Sequence, residues 1–184
     1  MIRAAFYLNK VRDQPMRWLP DLFWKAVAWT LVRFEPLAKR LIFRAFQTPF
    51  IHIMSADGQD MYMGRWWLFN GYDKAHRNAI PWFPISARIH HIKREDRERH
   101  LHDHPRNCRT IILKGWYREE REDGMFLRQS GYTGRIVFGQ YHRITEVSPG
   151  GVWTIFITGR YRGGWGFKVD GAKVPSAMYL GLES

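Results

Sequence analysis

The sequence predicts a mainly β protein, a sandwich or barrel of short strands, preceded by two α-helices. Two observations carry this. From about residue 60, short runs of β-formers alternate with Gly, Pro, Asn and Asp, the texture of strands and turns. Between about 16 and 47, apolar residues instead recur at three- and four-residue spacing, as on one face of a helix. Several short strands so spaced point to a sandwich or barrel rather than a parallel α/β sheet.

In chain order, Leu22, Ala26 and Trp29, then Leu37, Leu41, Phe43 and Phe46 mark the helical region. Pro20-Asp21 is a start signal and Pro36 a break, giving two short helices. Packing against the main domain is the preferred use of their apolar faces. The alternative is an amphipathic membrane contact through Trp24, Trp29, Lys25 and Arg33, but the charges form no single broad cationic face. The strands expected are Met63–Phe69, Ile85–Lys93, Cys108–Arg118, Met125–Arg128, Ile136–Phe138, Tyr141–Val147, Val152–Thr158, Trp165–Val169 and Ala177–Leu180. In Thr110–Leu113 both alternating faces are apolar, so that strand is covered on both sides, with the helices as the outer cover. The chain divides into a helical extension, 1–60, and a β domain, 61–184.

A chain of 184 residues suits one domain with a real core. With 45% hydrophobic and 16% aromatic residues, disorder is excluded as the default state. The single cysteine, Cys108, rules out an intramolecular disulfide. The N-terminus carries no secretory signal pattern. A spanning helix needs roughly 18 apolar residues, and the longest uncharged stretch, Val147 to Gly159, is interrupted by Pro149-Gly150-Gly151. A cytoplasmic protein is expected. The net charge of +12 raises nucleic acid as a partner. Half of that excess lies in residues 1–50, with nine Lys/Arg against three Asp/Glu, and the rest is spread thinly.

The stretch HLHDHP, residues 100–105, sets three of eight histidines on alternate positions. On a strand these share one face, while Leu101 and Asp103 turn away. Two such imidazoles can grip one metal ion, and a third ligand must come from elsewhere in the fold. His142, after Gly139, is the candidate donor. The neighbours His90 and His91 cannot both face inward on one strand.

These residues resemble a family. His102-x-His104, three residues, Cys108, six residues and Gly115 is similar to the first cupin motif, HxH(x)3–4E(x)6G. Gly139-Gln-Tyr-His142 is similar to the second, about 24 residues further on. More narrowly, RWWLF, ARIHHIKREDRERHLHDHP, GWYREE, HRI and RGGWGF resemble uncharacterised cupin-like proteins of phages and bacteria, over roughly 63–180. The resemblance implies a double-stranded β-helix, a jelly-roll-like barrel, with a metal in its mouth and the N-terminal helices outside. It makes His102, His104 and His142 the ligands of a mononuclear site for Fe, Mn, Ni or Zn. It puts Cys108 where the family has glutamate, either as a softer fourth donor or as a small buried residue.

Counting by twos from His104 puts Cys108, Thr110 and Ile112 on the inner face, and from His142 the count adds Gln140 and Ile144. Thr110, Ile112, Gln140 and Ile144 are thus the expected pocket. Arg109 and Arg143 point outward into ion pairs. Glu119 is expected as an exposed carboxylate beside Arg118 and Arg121. No Ser-His-Asp order, phosphate loop or CxxC pair is present. The function expected is a metal enzyme that oxidises or isomerises a small-molecule or nucleotide-linked substrate. The alternatives are a non-catalytic cupin binding module and a basic accessory protein whose N-terminal helices contact nucleic acid or membrane. A homodimer is the expected assembly. A phage-encoded protein would work in the host cytoplasm.

Overall fold

A computed structural model of the protein describes residues 18–55 and 58–181. Helix α1 spans Trp18–Arg33 and α2 spans Glu35–Ala45. The break expected at Pro36 falls at Phe34. Pro36 itself lies in the first turn of α2, where its missing N–H would have had no helical partner anyway. The helices meet the β domain through Ala28, Leu31, Ala38 and Ala45, flanked by Trp24, Val27, Leu41 and Ile42. Small residues let the helix backbones lie close to the sheet. Of the apolar residues that mark the helices in the sequence, Leu41 joins this core. Leu22, Trp29, Leu37, Phe43 and Phe46 remain exposed, so the contact face is rotated toward the alanines.

The strands are β1 (Ile53–Met54), β2 (Met61–Phe69), β3 (Ser86–Ile92), β4 (Arg106–Lys114), β5 (Trp116–Arg121), β6 (Gly124–Gln129), β7 (Thr133–Ile136), β8 (His142–Val147), β9 (Val152–Tyr161), β10 (Gly166–Val169) and β11 (Ala172–Pro175). Three expected strands need correction. The run Cys108–Arg118 is not one strand: it breaks at Gly115, and β4 and β5 belong to different sheets. Gly115 has φ +84°, and a Cβ there would sit 2.6 Å from the Gly151 carbonyl oxygen. Ala177–Leu180 is not a strand but overlaps a helical turn, α3 (Ser176–Tyr179). The last strand lies earlier, at β11, hairpinned to β10 through Asp170-Gly171 with φ of +48° and +83°. The expected Ile136–Phe138 strand ends at Ile136 and extends instead back to Thr133.

All pairings are antiparallel. One sheet runs β1-β2-β3-β9-β4-β7 and another β6-β5-β8. The short segment 101–103 continues the second sheet, bridging His102 to His142 of β8 on one side and to Phe167 of β10 on the other. Following the chain, β3 lies in the first sheet, 101–103 in the second, β4 in the first, β5 and β6 in the second, then β7, β8 and β9 alternate. This alternation winds the two sheets around each other as a jelly roll, the double-stranded β-helix. The boundary at residue 60 falls between β1 and β2, which are hydrogen-bonded neighbours.

The first sheet is covered on both faces, as the double apolar pattern of Thr110–Leu113 requires. Ile111 and Leu113, with Ile89 and Ile155, pack under the helices. Ile112 faces the barrel interior with Ile92, Tyr117, Ile144 and Val152.

Candidate metal centre

His102 and His142 are directly opposed on neighbouring strands. Each backbone N–H donates to the other's carbonyl at 2.9 Å, so their side chains leave the sheet on the same face. His104 lies two residues on and returns to that face. One ring nitrogen from each of the three imidazoles lies within 4.8 Å of the others. The Nε2 atoms of His104 and His142 stand 2.8 Å apart.

Carboxylates stand behind two of the rings. Glu119 Oε1 is 3.0 Å from His142 Nδ1, and Asp96 Oδ2 is 3.9 Å from His102 Nδ1. Each carboxylate is itself fixed. Arg121 and Arg128 donate to Glu119 at 3.0 and 2.9 Å. Asp96 accepts from the Ile144 N–H at 2.7 Å and from the Tyr62 hydroxyl. Burial raises the pKa of Glu119, but the bonds from His142 and Arg121 outweigh it and hold the group at about 2. The imidazoles shift in the sense a ligand needs. Burial, reinforced by the His142 charge and opposed by Asp96 and Asp103, lowers His102 to about 4. Burial, with His142 and His102 beside it, takes His104 well below its ordinary value. Both are therefore neutral near pH 7, with ring lone pairs free of protons. Three converging imidazoles with carboxylates behind them make a donor set that fits a divalent transition metal.

The other expected residues scatter. Cys108 stays outside the cluster: its thiol donates to the Arg106 carbonyl at 3.3 Å and packs with Ile136 and Phe156. Burial drives its pKa up to about 12, the opposite of what a thiolate ligand needs. Thr110, Ile112 and Ile144 are buried, the last two in the interior cluster. Gln140 departs from the inward count because 137–140 is a turn, closed by Gln140 N–H donating to the Val137 carbonyl at 2.9 Å. Its side chain accepts from the Val137 N–H and lines an outer groove with Asp21, Lys25 and Arg109. Arg109 points outward to the helix layer, paired with Asp21, and Arg143 pairs with Glu120. His100 bonds the Tyr179 hydroxyl at 2.9 Å, apart from the cluster. Asp103 turns away from the histidines and accepts from the Gly166 N–H and Lys173 Nζ.

Glu119 requires a correction. It is 1% exposed rather than a surface carboxylate, because the β4–β5 break at Gly115 reverses which residues face inward. Asp96 was not anticipated; it lies in a loop whose charge pattern, KREDRER, reads as solvated surface.

No family model matches the chain, and no curated protein matches it. Solved structures do. One is a cupin 2 conserved barrel domain protein from Rhodopseudomonas palustris, 14% identical, with TM-score 0.48 over 67% of this chain and 77% of that one. A cupin-2 domain from Rhodospirillum rubrum is 13% identical, with TM-score 0.47 over 72% and 78%. What the chain is similar to is the cupin barrel. A cupin-like protein from Thermotoga maritima is 16% identical, with TM-score 0.44 over 70% of this chain and 89% of that one. Among the described residues, no helix is long and apolar enough to cross a membrane.

Proposed function

We propose that this protein is a mononuclear metal enzyme of cupin type, holding Fe, Mn, Ni or Zn through His102, His104 and His142. The reaction proposed is oxidation or isomerisation of a small-molecule or nucleotide-linked substrate. The observation that carries the reading is the convergence of three imidazoles, two of them backed by carboxylates held in place by their own hydrogen bonds. With only three protein ligands, a metal there would keep positions open and supply Lewis-acid activation of a bound oxygen atom. The chain's own contribution is orientation. Glu119 holds the His142 ring at Nδ1, leaving Nε2 toward the cluster, and Asp96 lies on the Nδ1 side of His102.

Titration of the metal-stripped full-length chain with Zn, Mn, Ni and Fe(II) tests this. The expected result is one ion per chain, with affinity at least 100-fold weaker in a His102→Ala/His142→Ala variant that still folds. Substoichiometric metal that is unchanged in the variant overturns the reading.

A further inference from the structure

Beside the histidine cluster, the barrel interior is built for a negative charge that the chain does not supply. Arg88, on β3, is 7% exposed, and Arg106, at the start of β4, is 1% exposed. Among the described residues neither has a carboxylate within ion-pair distance, whereas the buried Glu119 already holds two other arginines, Arg121 and Arg128. A buried cation without an anion is costly. Arg106 is partly compensated: Tyr72 lies 4.1 Å from its Cζ, and it donates to the Gly159 and His76 carbonyls at 2.6 and 3.4 Å. The Arg88 guanidinium stands among the rings of Trp67, Phe50, Tyr72 and Phe156, whose centroids lie 5.3 to 5.6 Å from its Cζ, and it hydrogen-bonds the Tyr72 side chain; its Nε, like that of Arg106, has no hydrogen-bond partner.

Further unused polar atoms gather on the same face. His90 Nε2, Thr154 Oγ1 and Thr158 Oγ1 are buried and unpartnered. The β3–β9 register sets His90 opposite Thr154, Arg88 opposite Phe156 and Ser86 opposite Thr158, so all project from the inner face. Phe156 joins this group to the cluster. The His90 ring stacks on it at 4.8 Å, and the His104 ring lies 5.5 Å from it. Buried polar groups in folded proteins almost always have partners, so several orphans around one arginine mark a missing ligand. The motif points the same way. Cys108, at the glutamate position of the motif, lies on this inner face as a protonated thiol and so brings no negative charge to offset Arg88.

We propose that Arg88, with His90 and the directly opposed Thr154, forms an oxyanion subsite that holds a carboxylate or phosphate group of the substrate next to the histidine cluster. The subsite rests on the reading of that cluster as the reactive centre of the same interior. It narrows the substrate to a small organic acid or a phosphorylated small molecule, entering the barrel with its anionic group toward β3 and β9.

The test is calorimetric titration of the full-length chain, metal-free and Zn-loaded, with inorganic phosphate and separately with malonate at constant ionic strength. Saturable one-to-one binding of either anion is expected, and the anion that binds tighter tells phosphate from carboxylate. Arg88→Gln is expected to weaken binding at least about 10-fold, as loss of a charge-assisted hydrogen bond does, with Zn stoichiometry retained. Thr154→Val removes the orphaned hydroxyl opposite His90 at nearly constant shape. It is expected to weaken anion binding at least about 3-fold without lowering the melting temperature, and it decides the matter if Arg88→Gln does not fold. Absence of saturable binding by a chain that takes up one Zn, or binding undiminished in the variants, overturns the subsite and leaves the metal reading intact. Arg88-dependent anion binding by a chain that takes up no metal supports the subsite and overturns the metal reading.

Discussion

Glu119 Oε1 lies 3.0 Å from His142 Nδ1, at the inner end of a carboxylate that also bridges Arg121 and Arg128. The single residue therefore ties ring orientation to the folding of the β5–β6 hairpin. Glu119→Gln retains the size but removes the charge. Metal affinity is expected to fall about 10- to 100-fold, the usual cost of losing a ligand's outer hydrogen-bond partner. The metal-free chain is expected to melt at lower temperature, because two poorly exposed arginines lose their counter-ion. Metal titration and thermal melts of the same variant separate these effects. An unchanged metal affinity beside a lowered melting temperature would make Glu119 a purely structural residue.

Gly115 is where the chain leaves one sheet for the other. Its φ of +84° is a left-handed conformation, and an added Cβ would meet the Gly151 carbonyl at 2.6 Å and Ser148 Oγ at 2.7 Å. Neither backbone nor turn can easily yield there, since Ser148 also accepts from the Trp116 N–H and donates to Gly151. Gly115→Ala is expected to cost on the order of 2 kcal/mol or more of folding free energy. Urea unfolding of the variant checks this; a loss below about half a kcal/mol, the scale of an ordinary surface change, refutes it.

The parts of the fold legible in the sequence are those with a local cause. The double apolar face of Thr110–Leu113 announced a strand covered on both sides, and Ile111, Leu113 and Ile112 divide between helix layer and interior accordingly. The parity of HLHDH put Asp103 opposite its flanking histidines. The errors share a cause too: a change of sheet is set by tertiary contact, not by periodicity. Cys108–Arg118 has unbroken strand character, and only the approach of Gly151 to Gly115 shows that the count of inward residues restarts there. That restart turns Glu119 inward, and the turn at 137–140 takes Gln140 off the inward count. The Asp170-Gly171 pair did carry a hairpin signal, which would have placed β11 before the helical turn. The arginines of the interior had no local signal, because Arg88 alternates with apolar residues as a solvated strand face would.

Cys108 occupies the glutamate position of the motif but lies outside the histidine cluster, with its thiol against Ile136 and Phe156. A protonated thiol, held up at about 12 by burial, is a small apolar filler rather than a donor. Cys108→Ala is expected to leave metal affinity within about twofold and to cost about 1 kcal/mol of stability, the scale of a small buried truncation. The native chain is expected to react with iodoacetamide far more slowly than the urea-unfolded chain. A tenfold loss of metal affinity in Cys108→Ala would show that the thiolate ligates.

His90 makes the interior sensitive to acid. Burial, with Arg88 and Arg65 nearby, lowers its pKa well below 6.5, and its ring stacks on Phe156. The sign follows from which state binds the proton. Between the depressed folded value and the unfolded value near 6.5, the unfolded chain takes up a proton that the folded chain refuses. Stability from this group is therefore complete above about pH 6.5 and is lost as pH falls below it, by about 1.4 kcal/mol per pH unit for one proton. His102 and His104 are shifted in the same direction, so the metal-free wild-type chain is expected to lose stability with more than one proton's slope. His90→Phe keeps a ring against Phe156 and cannot titrate. Urea unfolding between pH 7.5 and 5 is expected to show its slope reduced by about one proton relative to wild type. Equal slopes in the two proteins would mean that His90 is already protonated in the fold or that acid enters the barrel elsewhere first.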